Sequence, residues 1–150
     1  MLNKIVLAVC VLWAVGFASC NARVVADEIP SAKIAAVTVY RLPELYLPST
    51  RIGPTELQSA AFDQVRATDL MTIGDFRAAL GMSKILGDEC THSRLDLRWG
   101  VVFRDRGGAT VGAIYLPADT LPCAMINGSV RLIDPYFRTF LKREFSFLNF

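Results

Sequence analysis

The chain has a single histidine, His92, and almost no excess of charge of either sign, with 16 lysine and arginine residues against 14 aspartate and glutamate residues. Histidine is the side chain best suited to proton transfer near neutral pH, so His92 is the first candidate for an acid–base catalyst. A formal net charge of +2 provides no global attraction for nucleic acid or for an anionic membrane. We therefore expect no nucleic-acid partner, and membrane contact only through an anchor on the chain itself.

The familiar signatures of catalysis and cofactor binding are also missing. The sequence contains no GxSxG motif, no P-loop, no dinucleotide fingerprint and no CxxC or HxxxH spacing, so we expect no cofactor and no metal. Only at Cys90-Thr91-His92 do a nucleophile and a base lie close together, and Cys90 has an alternative use in a disulfide. We expect no catalytic residue, which favours a binding protein over an enzyme.

The one long apolar run is short and lies near the N-terminus. Residues 5–18 are uninterrupted by a charge and follow Lys4. A membrane-spanning helix needs about 20 apolar residues, so the run predicts an export signal over residues 1–20. The alternative is a buried N-terminal helix, but such a helix requires a polar face that this run lacks.

The end of this signal resembles the lipobox of bacterial lipoproteins, in which small residues precede a cysteine that is acylated and becomes the new N-terminus. Ala18, Ser19 and Cys20 fit the pattern, whereas Phe17 stands where an aliphatic residue is usual. The resemblance implies lipidation of Cys20, a tether over residues 21–31, and one domain over residues 32–150, in the periplasm or anchored to a membrane. The alternative is ordinary signal cleavage after Ala18 or Ala22, with secretion as a further destination.

The parity of the cysteines bears on this choice. Cys10 leaves with the signal in every case, and lipidation of Cys20 or cleavage after Ala22 leaves Cys90 and Cys123 as a pair. Exported proteins mature in an oxidising compartment, where an odd free thiol is less expected. We therefore predict a disulfide between Cys90 and Cys123.

The remainder of the chain predicts strands that are joined by tight turns. Residues 33–42 are rich in β-branched side chains and stop at Pro43, and residues 109–116 follow a glycine-containing turn at 105–108. Asn127-Gly128 lies between two short apolar segments, which favours a type I′ hairpin. Residues 94–104 alternate strictly and predict a half-buried strand. Its inward side would carry Leu95, Leu97, Trp99, Val101 and Phe103.

Helices are predicted in three places. A short one begins near Pro54, and a capping box formed by Thr72 and Asp75 precedes a helical segment over residues 74–80 that Gly81 closes. The last follows Asp134-Pro135, with an apolar stripe through Phe137, Phe140, Leu141, Phe145 and Leu148. These elements predict an α+β fold: an antiparallel sheet of four to five strands with two to three helices packed mainly on one face, including a C-terminal amphipathic helix.

Four arginines are the remaining candidates for a binding site. Arg94, Arg98, Arg104 and Arg106 fall on or just beyond the polar side of the long strand, where they could contact an anion or a partner; the alternative is a solvated face. The leading hypothesis is an exported cell-envelope binding or accessory module without catalytic activity, such as an inhibitor, immunity or assembly factor, whose protein or envelope ligand is unknown. The alternatives are an envelope hydrolase whose carboxylates meet only in the fold, and a purely structural lipoprotein.

Overall fold

The computed structural model describes residues 23–43, 51–61, 63–90, 95–118 and 121–148. In this part of the chain three α-helices pack on a seven-stranded antiparallel sheet. The predicted α+β class and the C-terminal helix are confirmed, and the sheet has seven strands where four to five were expected. The export signal, Cys20, His92 and Arg94 lie outside the described residues.

The strands follow the order β2-β1-β4-β5-β6-β7-β3, which places β2 and β3 at the two edges of the sheet. The strands are β1 (Ala36–Arg41), β2 (Asp63–Ala67), β3 (Ile85–Gly87), β4 (Leu97–Arg104), β5 (Thr110–Pro117), β6 (Cys123–Ile126) and β7 (Ser129–Ile133). The helices are α1 (Pro54–Ala60), α2 (Leu70–Met82) and α3 (Tyr136–Glu144), with short 3-10 helices at Val25–Asp27, Ser31–Lys33 and Ser146–Leu148.

Tight turns join β4 to β5 and β6 to β7, as predicted. Between β4 and β5, the Asp105 carboxylate accepts a hydrogen bond from the backbone N–H of Ala109 at 3.0 Å, and Gly108 adopts a φ of 85°. Between β6 and β7, Asn127 and Gly128 have φ values of 49° and 85°. Two consecutive positive φ angles are the requirement of a type I′ turn, so the predicted hairpin is confirmed.

Helix α2 is longer than its sequence signals indicated. It begins at Leu70 because the Asp69 carboxylate accepts from the backbone N–H of Thr72 at 2.8 Å, which makes Asp69 the N-cap. Gly81 was expected to close the helix in a left-handed conformation. Instead Gly81 lies within the last turn, and the helix ends where the Ser83 hydroxyl donates to the carbonyl of Ala79 at 2.7 Å.

Helices α2 and α3 cover one face of the sheet through an aromatic cluster centred on Phe76. The ring centroid of Phe76 lies 5.0 Å from that of Phe140, 5.9 Å from that of Phe103 and 5.8 Å from that of Phe145, and its side chain is fully buried. Aromatic pairs at such separations add stabilisation beyond the area they bury. The predicted stripe of α3 is confirmed at Phe137, Phe140, Leu141 and Phe145, which are all buried.

The opposite face is also covered, by α1 and the segments beside it. Leu57 of α1 packs with Tyr40, Val102 and Tyr115 in a second apolar cluster. Gly100 permits this approach, because a Cβ at that position would lie 3.0 Å from the Tyr115 ring and 3.1 Å from Leu57. Strand β4 is therefore buried on both faces, and the expectation of one wet face was wrong.

The inward side of β4 also differs from the strict alternation that the sequence predicts. Trp99, Val101 and Phe103 face the helices α2 and α3, whereas Leu95 and Leu97 belong to the second cluster. The pairing register between β4 and β5 shifts between Leu97 and Trp99. An irregularity of this kind turns the side chains that precede it to the other face.

The segment before β1 is part of the packed domain from Arg23 onward, which corrects the tether expected over residues 21–31. Val25 and Ile29 are fully buried in the main core, and the side-chain amide of Asn127 donates to the carbonyl of Glu28 at 2.8 Å. Arg131 adds an ion pair to Glu28, with Nε 3.0 Å from Oε1. The burial of these two apolar side chains, together with the contacts of Glu28, holds this stretch against the domain.

Candidate binding groove

Three of the four arginines singled out in the sequence are described by the structure, and these three do not form one site. Arg98 is buried, with Nη2 2.5 Å from the Asp96 carboxylate and Nη1 3.4 Å from the carbonyl of Pro43. Asp96 also accepts from the backbone N–H of Ile52 at 3.1 Å. The Arg98–Asp96 pair therefore stabilises the loops beside the second apolar cluster. Arg98 is thus engaged inside the protein and does not lie on a solvated face.

The other two described arginines lie at the β4–β5 turn. The guanidinium of Arg104 donates to the carbonyl of Gly108 at 3.2 Å and to the hydroxyl of Thr110 at 3.3 Å, so it stabilises the hairpin. Arg106 is exposed at the tip of the same turn. Of the predicted set, Arg106 is the one whose charge faces solvent without a described protein partner.

Cys90 and Cys123 lie at disulfide distance, with their Cα atoms 6.0 Å apart. Cys123 lies in β6 and is fully buried in the second apolar cluster, on the face that α1 covers. Cys90 follows β3 and packs against the same second cluster. The pair joins the short edge strand β3 to the interior of the sheet. A sulfur in a disulfide is not available as a thiolate nucleophile.

A groove at the β2 edge of the sheet is the clearest concave site in the described part of the chain. This edge groove has a volume of about 400 Å³ and lies between β2 and the helices α2 and α3. Its apolar lining comprises Val65, Phe76, Phe140, Phe145 and Phe147. Phe76, Phe140 and Phe145 are buried and form the floor, whereas Phe147 is 55% exposed at the rim.

Strand β2 itself is unpaired along its outer side among the described residues. It pairs only with β1, in an antiparallel register that sets Val65 opposite Val39. The opposite edge of the sheet is shielded, because the backbone of Val24 bridges Lys84 and the N–H of Ile85 donates to the carbonyl of Arg23. An open edge strand presents a row of backbone donors and acceptors to any second extended chain.

The rim of the edge groove is predominantly acidic. Asp69, Asp75 and Glu144 line it, with Arg66 as the one cation of its lining. The hydrogen bond from the backbone N–H of Thr72 lowers the pKa of the Asp69 carboxyl, so Asp69 stays ionised. Glu144 is 2.7 Å from the guanidinium of Arg143. The groove therefore combines an aromatic floor with an excess of negative charge.

A general acid that works near neutral pH needs a carboxyl whose pKa is raised, whereas the pKa of Asp69 is lowered. The described residues contain no cluster of three histidine, cysteine or acidic side chains that could hold a metal ion. None of the described helices is long and apolar enough to cross a membrane.

Sequence reasoning missed this groove because it missed β2. The strand sequence DQVRA carries one large apolar residue, Val65, and therefore lacks the alternating pattern that marks a half-buried strand. Two of the aromatic residues that line the groove, Phe140 and Phe145, were recognised as part of the stripe on α3, which was assigned to core packing. The signal that remains visible in the sequence is the surplus of aromatic residues at the C-terminus, since Phe147 lies off the buried stripe.

In comparisons with known proteins, no protein-family model, no curated protein and no solved structure matches this chain.

We predict that replacing both Cys90 and Cys123 with serine lowers the free energy of unfolding by about 3–4 kcal/mol. The two residues are 33 apart in sequence, and closing a loop of that length removes conformational entropy from the unfolded chain. Chemical denaturation of oxidised wild type and of the double variant measures the difference. A non-reducing digest supplies the control, because the two cysteine-bearing peptides should run as one cross-linked species. Freely alkylated thiols in the folded protein, isolated without reductant, would refute the pairing.

Proposed function

We propose that this domain is a non-catalytic binding module of the cell envelope that takes up an extended segment of a partner protein along β2. The observation that carries the proposal is the coincidence of an open edge strand with an aromatic groove alongside it. A segment that pairs with β2 would gain backbone hydrogen bonds from the strand. Its alternate side chains would enter the groove, which supplies specificity.

The asymmetry between the two edges supports this assignment. Folded proteins normally protect exposed edges with charges, bulges or a covering segment, because unprotected edges promote aggregation. Here the N-terminal segment covers β3, while no described segment covers β2. An edge that stays accessible beside an apolar groove fits a surface that is used for association.

The charges of the rim favour a cationic partner. Glu144 is paired with Arg143. Asp69 and Asp75 still outnumber Arg66, so lysine or arginine side chains on the bound segment would be attracted and acidic ones repelled. The floor formed by Phe76, Phe140 and Phe145 favours an apolar side chain between them. The occupant is thus an extended segment that presents both apolar and basic side chains on the side that faces the groove. An inhibitor, an immunity protein or an assembly factor would each use such a contact.

Cross-linking inside the living cell tests this function. A photoreactive phenylalanine analogue at Gln64 on β2, or at Phe147 on the groove rim, should form an adduct with the same partner, within one basic and apolar stretch. The same analogue at Ala78, which is exposed on α2 away from the groove, is the matched control. Asp75→Lys should reduce the adduct yield at Gln64 by about tenfold through like-charge repulsion, while Glu89→Lys should leave it unchanged.

Two results would contradict the proposal. One is an adduct yield at Gln64 and Phe147 that does not exceed the yield at Ala78. The other is an adduct at Gln64 that persists undiminished in Asp75→Lys, since binding would then not involve the rim of the groove.

We place this module at a membrane surface through a lipid on Cys20. The chain is packed from Arg23 onward, so Asn21 and Ala22 alone would separate the anchor from the domain. Such a short spacer would hold the domain close to the lipid headgroups.

The mass of the protein isolated from its own envelope tests this anchor. We expect a mature chain that starts at Cys20 and carries diacylglycerol and an additional acyl chain, an increment that Cys20→Ser abolishes. A mature N-terminus at Ser19 or at Arg23 without added mass would contradict it.

A further inference from the structure

A second concave site, separate from the edge groove, lies on the other side of α2. This basic cleft has a volume of about 690 Å³ and is bounded by the 3-10 helix Ser31–Lys33, the N-terminal half of α2 and the β4–β5 turn. Each of these three segments contributes one cation, namely Lys33, Arg77 and Arg106. We propose that the basic cleft binds a ligand through a phosphate group.

The cations differ in how they are held. The Arg77 guanidinium donates to the carbonyl of Ile34 at 2.7 Å and to that of Ala32 at 3.4 Å, which fixes its position without neutralising its charge. The side chains of Lys33 and Arg106 form no hydrogen bond or ion pair with any described residue. One anchored and two unengaged cations therefore face a common space.

The single carboxylate that lines the cleft does not offset this charge. Asp105 accepts from the backbone N–H of Ala109 at 3.0 Å and is thereby committed to the turn. Three cations against one carboxylate leave an excess of positive charge that matches a doubly charged group better than a single carboxylate. Arginine and lysine together are the usual side-chain partners of phosphate oxygens.

The lining also indicates that the ligand carries an apolar part. Leu70 and Ile73 line the same cleft as the cations, and Leu70 is 87% exposed although it is a large apolar side chain. Met71 beside it is exposed to a similar extent. An exposed apolar pair next to a cationic cleft suits a phosphate ester whose organic portion contacts Leu70, whether this is a soluble molecule or a phospholipid headgroup.

Titration of the mature protein with inorganic phosphate tests the soluble source, with amide chemical shifts as the readout in a buffer that is free of phosphate. Flotation with vesicles of phosphatidylglycerol and phosphatidylcholine, against vesicles of phosphatidylcholine alone, tests the lipid source; for this arm the protein is expressed without its signal and without Cys20, so that no anchor contributes. Saturable shifts in residues 32–35 and 105–107 support a soluble phosphate compound. Flotation that requires phosphatidylglycerol supports a headgroup.

The variants decide whether either signal comes from the basic cleft. Lys33→Gln combined with Arg106→Gln should weaken the observed binding by about tenfold or more, since two of the three cations are lost. Lys84→Gln, which removes an exposed cation elsewhere, should change it by less than about twofold. Arg77 is left in place because it supports the backbone, and thermal unfolding verifies that each variant is folded. Binding that is absent in both arms, or equally affected in the Lys84→Gln control, would overturn the proposal.

Discussion

The burial of the central strand β4 on both faces is the constraint on which the rest of this structure depends. Antiparallel sheets commonly leave one face to water, but here nearly every residue of β4 is buried. Each face of the sheet therefore has its own covering layer. The aromatic residues of α2 and α3 fill one face around Phe76, and α1 closes the other where Gly100 leaves room for Leu57.

The two layers bury the centre of the sheet, but the two edges of the sheet differ in whether another segment covers them. The N-terminal segment inserts Val25 and Ile29 into the core and runs along β3, so that edge is closed. At the other end the helices reach β2 on one side only and leave the edge groove. Helix α2 separates this acidic, aromatic groove from the basic cleft, and the two sites therefore offer opposite charges on the two flanks of one helix.

Local signals in the sequence predicted the elements that depend on local chemistry. Asn127-Gly128 predicts its hairpin because few other residues tolerate two positive φ angles, and the stripe through Phe137 and Phe140 predicts the buried side of α3. Cys90 and Cys123 were paired by elimination among four cysteines, and they lie at disulfide distance. These inferences needed no knowledge of distant contacts.

The features that were missed all depend on tertiary contacts. Strand β2 has a polar composition and owes its conformation to pairing with β1, so no window of its own sequence indicates a strand. The burial of β4 on its second face depends on α1. The side chain of Leu97 lies on that second face, and not on the predicted one, because the pairing of β4 with β5 is irregular between Leu97 and Trp99. The candidate groove was invisible for the same reason, because its walls come from segments more than sixty residues apart.

Amide hydrogen exchange along β2 tests the central claim, an open edge beside the groove, most directly. In an antiparallel edge strand every second N–H points to the neighbouring strand and the others point to solvent. We expect slow exchange at alternate positions of residues 63–67 and fast exchange at the positions between them. Residues 99–103 should be slow throughout, because this part of β4 pairs with β1 on one side and β5 on the other. Slow exchange at all five β2 positions in the isolated protein would show that this edge is already covered, and would contradict the account.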